Sequence, residues 1–267
     1  MVDRTALISA PITAPAVLYP RIAPGAWLPL ALCLAWVLLI DTGLFEHPLM
    51  VPLHQVLGAP FFDAQGRQLW GATATSLVRV ALGFAVGAGL GVVLGLAVGL
   101  HRPSQLAVAP TIHALRQVAL FAWIPLLTAW FGNGDVAKAV FIALSSFFPV
   151  YLNTEQGVRA IPPTYREVAA IARLRPWQRL RRLVLPAALP SILIGIEIGL
   201  LTAWIGTVGA EYAIGTGRGI GSYLATARDV FRMDLVLVGV LVLALVGYLF
   251  SRLAHTLIHR LIPWRPR

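Results

Sequence analysis

Nucleotide or hydrolytic chemistry needs particular side chains at particular spacings, and this sequence offers few candidates. A phosphate loop of the form GxxxxGK[ST] would cradle a nucleotide with backbone N–H groups and a lysine. Lys138 is the only lysine of the chain, lies in Asp135-Val136-Ala137-Lys138, and has none of that context. The run from Gly215 to Gly221 alternates glycines but lacks the GxGxxG order and a flanking βαβ pattern, so it reads as a turn. Ser145, Ser146 and His255 would be the raw material of an intramembrane protease, yet neither serine stands in a Gly-x-Ser-Gly context. Serines inside apolar helices serve more often as helix–helix hydrogen bonders. Cys33 is the sole cysteine, which excludes a disulfide framework and a cysteine metal site. What remains is a set of charges in or beside apolar runs: Arg79, Arg116 and Glu197. An acid at membrane depth is costly unless paired. Glu197 is therefore expected either to pair with Arg79 or Arg116 or to act in a pathway, and such an acid is also what an ion-coupled secondary transporter would show.

The elements that must carry these residues are apolar helices. The chain is 58% hydrophobic and 12% charged, with a mean hydropathy of +0.79. Soluble domains average about 45–50% apolar and about 25% charged. A helix crosses a bilayer with about 20 apolar residues. Six such runs can be read: residues 27–45, 80–100, 106–131, 136–151, 187–210 and 235–250. The expected fold is all-α, a polytopic membrane protein of about six transmembrane helices. Residues 1–25 are Pro- and Ala-rich, aperiodic and without a cleavable-signal pattern, and read as a flexible cytoplasmic tail ahead of one membrane domain, 26–267.

The net charge of +10 comes almost wholly from arginine. With the N-terminus inside, the cytoplasmic segments hold Arg4, Arg21, Arg102, then Arg159 to Arg182, and finally Arg252 to Arg267. The opposite side keeps Arg67, Arg218, Arg228 and Arg232, with Glu46 and Asp63. That asymmetry is the positive-inside pattern, and it accounts for the basic balance with no nucleic acid as partner. In the second span Gly83, Gly87, Gly91, Gly95 and Gly99 recur every four residues on one helix face. They suit close packing of a neighbouring backbone, or a surface that slides during gating.

Between the fourth and fifth spans, residues 153–185 are polar and too long for a simple connection. Thr164 followed three residues later by Glu167 predicts a capping box and a helix through Val168, Ala169, Ala170, Ile171 and Ala172. Its small side chains predict a shallow surface that another protein could cover. Pro176 suits the first turn of a second helix, amphipathic through Trp177, Leu180 and Leu183, which Leu185-Pro186 is expected to end. An amphipathic helix lying on headgroups would explain Arg179, Arg181 and Arg182 but not the alanine-rich helix before them.

Glu167-Val168-Ala169 with Leu183-Val184-Leu185-Pro186 downstream resembles the EAA loop of binding-protein-dependent ABC importer permeases. Two positions depart from that pattern: Val168 replaces an alanine, and Arg173 stands where the family usually has glycine. A non-glycine residue resists the left-handed conformation of a tight turn, so the turn is expected to be shifted. Four further stretches resemble the nitrate, sulfonate, taurine and bicarbonate branch: 122–126 with 130–132, 147–154, 210–212 with 219–221, and 262–265. The run 147–154 is similar to aliphatic-sulfonate permeases. Gln117 and Ala119 replace prolines common in the family at the start of the third span, so that region is expected to be shaped differently.

The resemblance implies a permease subunit in the inner membrane, N-terminus cytoplasmic, with no enzymatic activity and no cofactor or metal of its own. Two copies of a separate ATPase subunit would bind the ATP, and a solute-binding protein would deliver the substrate. Two permease subunits, expected to be identical, would enclose the path. The ATPase-coupling residues it implies are Thr164, Glu167, Val168, Ala169, Ala170, Arg173, Leu183, Leu185 and Pro186. Arg79, Arg116 and Glu197 are candidate pathway residues. An aliphatic sulfonate or taurine is the first substrate it suggests, with nitrate, bicarbonate and vitamin precursors as alternatives.

Overall fold

A computed structural model describes residues 27–41, 51–215 and 217–261. The expected tail, 1–25, and the closing run 262–265 lie outside them. All regular structure among the described residues is helical. The chain divides into two units, Met1–Pro52 and Leu53–Arg267. The first contains α1, Trp27–Asp41, whose 15 residues make up most of the first predicted span; residues 42–45 of that span are outside the described set.

In the second unit four helices are long and apolar enough to cross a membrane: Gln68–Leu100, Asp135–Arg159, Pro176–Ile214 and Met233–Thr256. The predicted second span began at Val80, but α3 runs from Gln68 to Leu100, because no proline interrupts residues 67–101. Arg79 is therefore inside a helix, not before one. The third predicted span, 106–131, is not one rod. Helix α4 (Arg102–Leu115) stops, a 3-10 turn follows at Leu120–Trp123, and α5 (Ile124–Phe131) leaves at 94° to α4. Arg116 and Gln117 lie in the break, so the absence of the expected prolines does not leave a straight helix.

Helix α6 (Asp135–Arg159) is the spine, and the glycine ladder explains why. Gly83, Gly87, Gly91, Gly95 and Gly99 of α3 lie against Ile142, Ser146, Val150, Thr154 and Val158 of α6, one turn for one turn. A Cβ on Gly87 would stand 2.1 Å from the Ala143 carbonyl oxygen and 2.2 Å from Ser146 Oγ. The matching order along both chains makes α3 and α6 parallel. On its other side α6 meets α9 (Leu185–Ile214) antiparallel, with Gly195 against Asn153, Gly199 against Val150 and Gly206 against Ser145. Ser145 and Ser146 spend their hydroxyls on carbonyls of their own helix, at 2.7 Å and at 3.1 and 3.3 Å. Thr202 Oγ1 crosses from α9 to donate to the Ser145 carbonyl at 3.0 Å.

Helix α7 (Pro163–Ile171) lies at one end of this bundle, hereafter the loop end. At the far end sit α2 (Leu53–Phe62) and α10 (Ile220–Asp229), packed on the start of α11 (Met233–Leu261) through Ala59, Ala227 and Leu235. Arg232 ties this cap together by donating to Asp63 and to Asp234. Its guanidinium holds the Asp63 carboxyl below its ordinary 3.8.

Candidate coupling surface and translocation path

The loop end differs from its sequence reading in three local respects. Thr164 is not an N-cap: Pro162 takes the cap position with ψ 143 and Pro163 is the first helical residue, whose fixed φ starts the helix before Thr164. The capping box with Glu167 does not form, and both side chains are exposed. The turn at Arg173 is not shifted. Arg173 itself takes φ 49, and α7 closes as a Schellman motif, with Leu174 N–H to Ala169 O at 3.1 Å and Arg173 N–H to Ala170 O at 3.0 Å. Leu185-Pro186 does not end the second helix. Helix α8 (Pro176–Arg179) passes through a π-turn at Leu180–Val184 into α9, giving one rod from Pro176 to Ile214. The π-turn shifts the hydrogen-bond register by one, with Leu185 N–H reaching Leu180 O, and places Pro186 in a first turn where its missing N–H is harmless.

The surface of α7 is also less shallow than its alanines suggested. Tyr165, Val168 and Ile171, three residues apart, form an exposed apolar ridge, and Ile171 is 83% exposed. Ala170 and Arg173 are exposed beside it, while Ala169 is turned inward and buried. Leu185 packs on the cluster of Val158, Ile161, Val184, Ala188 and Ile192, and Leu183 lines a small crevice with Val158, Ile161 and Val184. Those two leucines hold the loop to the bundle; Pro186 is exposed. Glu155, near the end of α6 at this level, is buried and bonds Arg159 at 3.3 Å, with His113 Nε2 at 3.6 Å.

The far end contains a network that the sequence reading missed. Glu211 on α9 is fully buried. Ser76 Oγ donates to its two carboxylate oxygens at 2.9 and 2.8 Å, Arg79 Nη1 donates at 2.7 Å, and Gly221 N–H donates at 3.0 Å. Arg79 bridges onward to Asp135 at 2.7 Å and to the Arg218 carbonyl. Ile220 N–H donates to Ser76 Oγ at 2.9 Å. Gly219 must be glycine, because a Cβ there would lie 2.3 Å from the Glu211 carboxyl carbon. Lys138, also fully buried, flanks Gly217 together with Arg79. One network thus joins α3, α6, α9 and the turn before α10. Its signal in the sequence was indirect: 210–212 with 219–221 stood out by family resemblance, but the run Gly215 to Gly221 read as a turn and Glu211 had no partner assigned.

The three candidate pathway residues separate accordingly. Arg79 does not pair with Glu197; Glu211 and Asp135 take its guanidinium. Arg116 is exposed in the break after α4, and its guanidinium makes no ion pair among the described residues. Glu197 is half-buried on α9 and likewise unpaired among them. The break is itself informative. The N–H groups of Ala119, Leu120 and Phe121 have no backbone acceptor among the described residues, and residues 114–119 are exposed. Irregular backbone at membrane depth persists only where protein covers it or where it lines water.

Comparison with known proteins follows this geometry. The family described as binding-protein-dependent transport system inner membrane component matches residues 87–263. The putative aliphatic sulfonates transport permease protein SsuC of Bacillus subtilis is 35% identical over 90% of this chain and 87% of its own length. Its Escherichia coli counterpart is 33% identical over 92% and 93%. The taurine transport system permease protein TauC of Escherichia coli is 34% identical over 76% of this chain and 73% of its own. Among solved structures, an inward-facing form of the MetNI methionine ABC transporter superposes with a TM-score of 0.58 over 75% of this chain and 97% of the other. At 19% identity that likeness shows the fold alone. The chain belongs to the permease family of binding-protein-dependent ABC transporters, on the branch that includes the sulfonate, taurine, bicarbonate and nitrate permeases.

Proposed function

We propose that this chain forms, with a second copy of itself, the translocation path of an ABC importer for a small anion, an aliphatic sulfonate or taurine. Two copies of a separate ATPase subunit bind the ATP and dock at the loop end on α7. A solute-binding protein delivers substrate at the far end, and the N-terminus is cytoplasmic. The observation that carries this reading is the exposed ridge of Tyr165, Val168 and Ile171 beside Glu167. A free apolar ridge next to water is unfavourable, and covering side chains of this size stabilises a contact by about 1.5–3 kcal/mol each. ATP shifts the path between two states only if the docked subunits contact α7 differently in each.

Sulfonate and taurine are favoured by the relatives above and by the unpaired guanidinium at the break in the third span. The same machinery importing nitrate or bicarbonate has its own relatives. The test is co-purification from detergent-solubilised membranes. Wild type is expected to bring down an ATPase polypeptide with ATP hydrolysis, and Glu167→Arg or Ile171→Asp to lose both at normal permease levels. A wild-type chain that purifies alone, with uptake collapsing when the proton or sodium gradient is removed, would overturn the importer reading.

A further inference from the structure

Glu155 is a buried acid that the far-end networks leave out. It lies one turn before the end of α6 and is 1% exposed. Its Oε1 accepts from Arg159 Nη1 at 3.3 Å, a guanidinium that is half exposed and shared with the Gln105 amide oxygen of α4 at 3.1 Å. Its Oε2 is buried and has no hydrogen-bond partner. His113 Nε2 of α4 stands 3.6 Å from that oxygen, beyond hydrogen-bond length. The Tyr151 hydroxyl, one turn back along α6, faces the same carboxylate and is likewise buried without a hydrogen bond. A buried carboxylate oxygen left unpaired costs free energy until a donor reaches it.

The packing around Glu155 decides which donor can move. Tyr151 and Leu152 of α6 form one cluster with Ala109 and Ile112 of α4 and Val98 of α3, and the Glu155 carbonyl lies against Gly99. Arg79 is the only titratable residue of α3, and it is held by Glu211 and Asp135 at the far end. Among the described residues, the titratable groups facing the carboxylate are thus Tyr151 and Arg159 from α6 and His113 from α4. The His113 side chain is 42% exposed, so its ring exchanges protons with water. It sits in the last turn of α4, where the helix dipole favours a cation. Two residues on, α4 stops at Leu115 and the chain bends by 94°. An imidazole is also the side chain whose charge changes most readily near neutral pH.

We propose that His113 and Glu155 form a proton-operated latch between α4 and α6, beside the break in the third span. With a neutral imidazole the latch stands open at 3.6 Å. Uptake of one proton from water makes an imidazolium, whose N–H donates to a carboxylate at about 2.7–2.9 Å. Closing the latch therefore takes a movement of under about 1 Å at the last turn of α4. It draws the end of α4 onto the spine and fixes the break, which slows the switch between the two states of the path. The latch is a property of this chain alone; its effect on uptake rests on the importer reading above.

Two readouts test it, each as wild type against His113→Gln, a change at a partly exposed position. The first is the melting temperature of the detergent-solubilised permease from pH 8 to pH 6. The added pair exists only in the protonated folded protein, so its stabilisation is present at low pH and lost as pH rises. Wild type is expected to gain about 2–4 °C on the variant across that step. The second is ATP-driven uptake by the complete importer in liposomes, with the ATP-containing side stepped from pH 8 to pH 6 and the other side held at pH 7. Relative to His113→Gln, wild type is expected to slow at least about fivefold. Comparison with the variant cancels the pH response of the ATPase. A melting difference that stays constant with pH, or parallel uptake profiles, would overturn the latch while leaving the importer reading intact. Wild-type liposomes without ATP-driven uptake at either pH would overturn the importer reading, and the melting comparison then decides the latch by itself.

Discussion

Replacing Arg79 by methionine should damage the protein far more than replacing the acid it bridges to. Arg79→Met leaves Glu211, fully buried, with the hydrogen-bond donors Ser76 Oγ and Gly221 N–H and with the buried Lys138 as a cationic neighbour, but without its ion-pair partner. Removing one partner of a buried pair costs about 3–5 kcal/mol. For a chain of this size each kcal/mol lowers a melting temperature by about 2–4 °C, so the expected fall is roughly 6–20 °C. Glu211→Gln should cost less, about 1–3 kcal/mol, because Arg79 keeps Asp135 and the Arg218 carbonyl. The double variant Arg79→Met/Glu211→Gln should recover part of the loss, since it removes the carboxylate that the single variant leaves without its arginine. Asp135→Asn is the control: its side chain is 75% exposed, and an exposed pair is worth about 0–1 kcal/mol. The assay is thermal unfolding of the detergent-solubilised protein followed by tryptophan fluorescence. Additive effects in the double variant, or an Arg79→Met midpoint within about 3 °C of wild type, would refute the claim that the pair is energetically coupled.

Gly87→Ala should lower the yield of folded protein, because its methyl would meet the Ala143 carbonyl at 2.1 Å and force α3 from α6. Gly89→Ala, with nothing within 4 Å, should instead raise the melting temperature slightly, as a glycine in a helix is less favourable than alanine by about 1 kcal/mol. The Asp63 clamp predicts a pH dependence. Its carboxyl is held below 3.8 by Arg232, so its contribution is full above that value and fades as pH falls through the depressed one. Melting temperature should show no effect of Asp63→Asn on its slope between pH 5 and 8, and a shallower acid limb below about pH 4.

Much of the bundle was legible because span length and charge placement are local signals. The run 80–100 has no charge and Pro176 sits in a first turn as expected. Reading failed where a neighbouring residue outranked the motif. Pro163 set the start of α7 against the Thr164 and Glu167 pattern, and Arg173 kept a left-handed turn, since the Schellman bonds offset the roughly 1–2 kcal/mol that conformation costs a non-glycine residue. Glu211 escaped because Ser76 and Arg79 are 135 and 132 residues away in sequence, a pairing that no window along the chain displays.

The single rod from Pro176 to Ile214 has a mechanical meaning. Thirty-nine residues of helix extend about 58 Å. A tilt of about 5° at the loop end therefore sweeps Ile214 through roughly 5 Å, with only residues 172–175 between the rod and α7. Glu211 rides near the moving tip, and its bonds to Ser76 and Arg79 stretch by less than 1 Å before they are lost. The glycine contacts along α3, α6 and α9 leave no room for slippage between them. The three helices then swing together as one arm, and any hinge lies outside the rod, at residues 172–175 or in the break that follows Leu115.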